Sequence, residues 1–192
     1  MTYALIAFAL VLAVGVALLY NKLVRLRRAV ENAFAQIDVQ LQRRHDLIPN
    51  LVETAKAYLA HEQATFEGVA RARSQAQIAR SEASPTDAPS MRALAQAESG
   101  LGAALGRLMA VSEAHPTLQA DAQMAALHEE LASTENRIAF SRQAYNDSVT
   151  RYDVSVESVP GVFVAGPLGF KPAESLLEAP PEAAVAPRVA FA

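Results

Sequence analysis

The chain contains no cysteine. That removes disulfides, thiol nucleophiles, thiolate metal sites and any cysteine-linked lipid. Tryptophan is also absent, and histidine occurs only at His45, His61, His115 and His128. Two of these begin like a helical zinc-protease motif, in His61-Glu62-Gln63 and His128-Glu129-Glu130. Neither has the second histidine one helical turn on, so two imidazoles are not presented on one face. Glycine is sparse. Gly100, Gly102 and Gly106 stand in GLGAALG, one residue too long for a dinucleotide fingerprint and with no strand before it. The expected reading of Gly102 and Gly106 is close helix–helix packing, which offsets the roughly 1 kcal/mol that each glycine costs a helix against alanine. GxSxG and Walker A sequences are missing. The expectation is a protein that is not an enzyme, with no catalytic residue, cofactor or metal ligand.

What is present begins with an uncharged apolar run from Tyr3 to Tyr20, followed at once by Lys22, Arg25, Arg27 and Arg28. About 18 apolar residues are enough to cross a bilayer as a helix. A secretory signal has its basic residues before a shorter apolar core. Here they follow it, and the weak cleavage site at Gly15-Val16-Ala17 falls inside the run. A retained anchor over residues 1–20 is therefore expected. Residues 22–44 carry a net +4, against −3 for the whole chain. By the positive-inside rule this predicts an outside N-terminus and a cytoplasmic C-terminal domain. Lys22, Arg25, Arg27 and Arg28 are candidates for contact with anionic headgroups, or simply a stop-transfer flank.

Prolines punctuate the rest. Pro49, Pro85, Pro89 and Pro116 lie within the body of the chain and six more follow from Pro160. Proline belongs in a first turn rather than a helix interior, so helices are expected between them. The first carries Leu23, Leu26, Val30, Phe34, Ile37 and Leu41 at three- and four-residue steps. It is expected to end near Arg44, with a second helix capped by Asp46 and holding Pro49 in its first turn. The alternative is one rod kinked at Pro49. A third helix is expected from about Pro89 to Ala114 and a fourth from about Asp121 to Ser158. Amphipathic helices of this length must bury their stripes against one another. The fold class is thus all-α, an N-terminal transmembrane helix continuing into an antiparallel up-and-down bundle of four long helices, over residues 21–158. Residues 159–172 read as an apolar loop broken by glycine and proline, neither helix nor long strand. Residues 173–192 read as a disordered tail rich in alanine, proline and glutamate.

Several blocks carry a resemblance. VENAFAQIDVQLQRRHDLIPNLVETAKAY (Val30 to Tyr58), ALGRLMAVSEAHP (Ala104 to Pro116), TENRIAFSRQAYND (Thr134 to Asp147) and GFKP (Gly169 to Pro172) are similar to the LemA family of bacterial membrane proteins, colinearly over roughly residues 20–172. The resemblance implies a single-pass anchor in a bacterial inner membrane and a long-helix antiparallel bundle, and it supplies no reaction. Suggested roles in that family are membrane organisation and envelope response, including in a magnetosome-membrane relative. Pro167 and the proline-rich tail depart from the family pattern.

The polar residues in these blocks are the candidate sites. Asp38, Arg43, Arg44, Asp46, Asn50 and Glu53 are expected to hold the first turn as caps and ion pairs, or to form a docking surface at the membrane-distal tip. Thr134, Glu135, Asn136, Arg137 and Arg142 form a polar patch on the fourth helix. Buried polar groups must be hydrogen-bonded, so an interhelical network with the first or the second helix is the default there and a binding site the alternative. Val159, Val162, Phe163, Val164, Leu168 and Phe170 are expected beside the bilayer. They either lid the bundle core or, through Phe163 and Phe170, touch the headgroups. The expected partners are membrane lipids, a membrane or cytoplasmic protein and, as an alternative, a second copy of the chain, with no role for nucleic acid. A scaffold or adaptor acting through such contacts is the expected function. A membrane-tethered sensor that binds a ligand or peptide on the bundle is the alternative.

Overall fold

The structure, a computed structural model, describes residues 1–59, 61–119 and 121–174. The tail expected to be disordered lies outside them, apart from Ala173 and Glu174. All six elements among the described residues are helices: α1 Thr2–Lys56, α2 Gln63–Glu82, α3 Ala88–Glu113, α4 Pro116–Gln119, α5 Ala122–Glu157 and α6 Gly161–Ala165. The long ones run up and down. α1 packs along α5, α2 along α3, and these two pairs make the bundle.

The boundaries near prolines and caps follow local chemistry. Asp87 caps α3 by accepting from Ser90 N at 3.0 Å, with a proline in the first turn. Asp121 caps α5 by accepting from Met124 N at 2.8 Å. The expected turn at Arg43 to Asp46 does not form. α1 is one helix through Pro49 to Lys56, and Asp46 caps nothing; its carboxylate accepts from Gln42 Nε2 at 2.6 Å. The physical reason is visible at His45. Proline has no N–H, so the carbonyl four residues back loses its helical donor. That carbonyl belongs to His45, and Arg73 Nε of α2 donates to it at 2.9 Å. Pro49 itself is exposed, and the helix runs past it with its accounts settled by a neighbour. The first true break comes after Lys56, and α2 begins only at Gln63.

The core is in two parts. A membrane-proximal cluster joins Leu23, Val30, Ile37, Leu41, Leu94 and Ile138 with Tyr145, Val149 and Tyr152. A distal cluster joins Ile48, Leu51, Phe66, Leu101, Leu108 and Leu118. Gly102 and Gly106 sit in neither. A side chain at either would meet open space on the exposed face of α3. The expectation of close packing there is corrected.

The apolar loop also folds differently from expectation, since it contains α6. Gly161 admits the chain there because a Cβ would collide with the Ser155 carbonyl. Gly169, at φ +77°, is the one glycine described with a left-handed backbone. It turns Phe170 back into the core, where its ring meets Tyr20 edge-on at 5.6 Å. Phe170 is 7% exposed, so its place as a membrane-contact residue is corrected: it is a lid. Phe163 is 74% exposed.

Candidate functional site

The two cores are separated by a layer of charge. On α1 the stripe Leu41–Ile48 is interrupted by Arg44 and His45; on α3 the stripe Leu94–Leu101 is interrupted by Glu98. All three polar residues are buried. Arg44 Nη2 pairs with Glu98 Oε2, and Arg44 Nη1 donates to Glu135 Oε1 of α5 at 2.7 Å. His45 Nε2 meets Glu98 Oε1 at 3.0 Å. One arginine therefore ties α1 to α3 and α5 together, and the next residue supplies both a side chain to α3 and a carbonyl to α2. Burial, reinforced by the guanidiniums of Arg44, Arg80 and Arg73, holds the His45 imidazole neutral, with its pKa pulled down to about 4. Around this centre, Arg80 Nε of α2 pairs with Asp38 at 3.1 Å and Arg80 Nη1 donates to Gln42. Arg43 Nη2 pairs with Glu130 of α5 at 2.7 Å.

Of the polar residues singled out from sequence, Asp38, Arg43, Arg44 and Glu135 are thus brought together, but halfway along the rod rather than at a tip, because α1 does not turn beside them. Asp38, Arg43 and Arg44 make interhelical pairs. Asp46, Asn50 and Glu53 are exposed, and Glu53 serves only a local pair with Lys56 at 2.7 Å. In the α5 block, Glu135 joins the network, while buried Thr134 donates to its own helix at Glu130 O, 2.8 Å. Asn136 and Arg137 face outward. From α5 the network reaches α1 through Glu135 and Arg44, and Arg44 carries it on to Glu98 of α3. Glu98, His45, Arg73 and Arg80 were missed. Glu98 had a signal: a carboxylate standing on the apolar stripe between Leu94 and Leu101, where a charge requires a partner.

Beside this layer α1, α3 and α5 leave a cleft of about 750 Å³. Its floor is Ile37, Leu41 and Leu94, all buried. Arg44, Glu98, Glu135, Arg92 and Arg142 supply its charge. Arg142 is half-buried, with the opposite charge of Glu135 acting on it. Burial lowers its pKa, and the neighbouring charge of Arg44 lowers it further. Arg44 Nε is buried with no acceptor among the described residues.

At the other end, Lys22, Arg25, Arg27 and Arg28 are exposed around α1 where the apolar stretch ends. Arg27 and Arg28 reach Glu31 at 3.2 and 2.7 Å. The apolar stretch is long and apolar enough to cross a membrane, and none of it is buried.

A family described as the LemA family matches residues 33–191. The sequence is also similar to two Magnetosome proteins MamQ of Paramagnetospirillum magneticum, each 29% identical over 179 residues and covering 84% of this chain. Magnetosome protein MamQ of Magnetospirillum gryphiswaldense is 28% identical over the same length. The chain spans 65% of the length of these relatives. Together with the bare apolar start of α1, these likenesses mark a membrane protein.

Proposed function

The chain belongs to the LemA family, and from that premise we propose that it is a membrane-anchored, non-enzymatic helical scaffold or adaptor, acting through protein–protein and protein–membrane contacts in membrane organisation or envelope response. The observation that carries this reading is the continuity of α1. The exposed apolar stretch passes without a break into the helix that forms the longest wall of the bundle. The bundle is therefore joined rigidly to the anchor rather than hung from a linker, which suits a part that holds something at a fixed place. The similar proteins in other organisms are called magnetosome proteins, which supports a place at a membrane. Proximity crosslinking from the distal end of α1 in the native membrane tests it. One protein, or a second copy, should be captured reproducibly at stoichiometric yield; a crosslinking pattern no different from that of an unrelated anchored bundle sinks the scaffold.

The basic collar supports an inner membrane of a bacterium, with the N-terminus outside and the bundle in the cytoplasm. A reporter that works only in the periplasm, fused at the C-terminus, is expected to stay silent. The cleft favours a second reading, a sensor that binds a ligand or peptide on the bundle. Ligand-dependent melting would separate the two.

A further inference from the structure

α5 delivers the chain to the level where the apolar stretch of α1 ends. Arg44 of α1 meets Glu135 of α5 at 2.7 Å, and the rings of Phe34 and Tyr145 lie 5.8 Å apart. From one pair to the other each helix advances by the same number of residues, in opposite directions, which sets the antiparallel register. The same register puts Glu157, the last residue of α5, opposite Lys22. α6 follows, and Phe170 returns to the Tyr20 ring. Residues 159–170 are thus held between the last turn of the apolar stretch and the first basic residues.

The two sides of this segment differ. Gly161 is pressed against the Ser155 carbonyl, and Ala165 and Phe170 are buried. Val159, Val162, Phe163 and Leu168 are exposed. An apolar patch of this kind marks a contact site, and its level says with what. Lys22, Arg25, Arg27 and Arg28 stand exposed around α1 here, and Lys171 follows Phe170, also exposed. Of the carboxylates nearby, Glu31 is engaged by Arg27 and Arg28, Asp153 accepts from Ala173 N at 2.8 Å, and Glu157 is exposed. The balance is positive. Apolar side chains among cations are the composition of a segment that lies on anionic lipid.

The far end of the segment reaches upward. Tyr152 Oη donates to Lys171 O at 2.8 Å and Tyr145 Oη donates to Glu174 O at 2.6 Å. Glu174 is held from the other side as well, where its N–H donates to Pro85 O at 3.0 Å and Arg92 Nε donates to its carboxylate at 3.3 Å. Pro85 lies between α2 and α3, at the level of Tyr145 and so of Phe34. Phe34 is about 21 Å along α1 from Tyr20. α2 and α3 therefore stop short of the bilayer, and residues 171–174 bridge the gap. We propose that α6 and the loop after it are a second membrane foot, seated on anionic phospholipid beside the span, with residues 171–174 as a strut that rests the α2–α3 pair on it. The inference builds on the anchored reading above and adds to it a second point of contact. A single crossing leaves the bundle free to tilt and turn; two contacts fix its bearing.

The absence of native cysteine allows single nitroxide labels in the full chain. In nanodiscs of phosphatidylcholine with phosphatidylglycerol, Val11→Cys, Ile78→Cys, Phe163→Cys and Leu168→Cys are compared by accessibility to oxygen, which gathers in lipid, and to a water-soluble nickel chelate. Val11 marks the span and Ile78, exposed on α2, marks water. The oxygen-to-nickel ratio at Phe163 and Leu168 should exceed that at Ile78 by about threefold or more, as for a segment buried at the headgroup boundary. Adding Val159→Asp and Val162→Asp should bring the Phe163 ratio down to the Ile78 level, and discs of phosphatidylcholine alone should lower it. A lipid-like Val11 with water-like Phe163 and Leu168 overturns the foot while the anchor stands. A water-like Val11 overturns the anchor and the foot with it. A Phe163 ratio indifferent to the aspartates, or to removal of the anionic lipid, also overturns the proposal.

Discussion

Pro49 and Arg73 show how a single residue's missing hydrogen is made good by another helix. The His45 carbonyl has one donor from outside its helix, Arg73 Nε. Arg73→Ala should therefore cost about 1–3 kcal/mol, the penalty of leaving a poorly hydrated acceptor unpaired. Pro49→Ala supplies the absent N–H, so the double variant should regain most of that loss in a thermal-melt cycle. Strict additivity of the two changes would show that the carbonyl is not what couples them. His45 carries a second consequence. Folded, it takes its proton only near pH 4; unfolded, it does so near the ordinary value of about 6.5. As pH falls the unfolded chain binds the proton first, so this stabilisation is complete above about 6.5 and lost progressively down to about 4. Between about pH 7 and pH 5 the wild type should lose roughly 2 kcal/mol from this group alone. His45→Gln should remove that part of the slope, and a variant with the wild-type pH profile would refute it.

At the scale of elements, the helices with clean stripes and aspartate caps were legible in the sequence. α3 and α5 begin and end within a residue or two of where Pro89, Asp121 and the apolar spacing place them. The first two helices differ from expectation at two places: Pro49 does not end the first, because the rescue of its orphaned carbonyl by Arg73 lies 28 residues away, beyond any local pattern, and the break between Lys56 and Gln63 holds no proline or glycine to mark it. The polar layer was half legible. Arg44 and Glu135 stand in distinctive blocks, but Glu98 becomes meaningful only once α3 lies against α1. In the last apolar segment, the hidden and open residues could not be told apart before Gly169 was seen to reverse the chain. Phe170 lids the core while Val159, Val162, Phe163 and Leu168 stay exposed, next to the end of the apolar stretch marked by Tyr20. We expect these four to meet the headgroups. The chain has no tryptophan, so Phe163→Trp gives a background-free probe. Its emission should be blue-shifted in anionic nanodiscs and quenched by brominated lipid; a solvent-like spectrum indifferent to bromine would leave α6 as nothing more than a lid.

For the whole molecule, the charged layer divides one bundle into two cores that share a single set of helices. Taking Arg44 away strands the buried Glu98 carboxylate. Arg44→Met should accordingly lower stability by about 3–5 kcal/mol, whereas Arg44→Met with Glu98→Leu should lie much nearer the wild type. A double variant as weak as the single one would mean that the layer is held by something other than this pair. These values can be read from melts of the full chain in nanodiscs.

The unbroken α1 also sets an altitude. From Tyr20 to Lys56 it rises roughly 54 Å at 1.5 Å per residue. The electric field of the lipid surface fades over about 8 Å at physiological ionic strength. The summit of the bundle therefore stands several screening lengths above the charged headgroups. Anything seated there is gauged by shape and contact, in electrically neutral ground, while α6 and the basic collar remain inside the field.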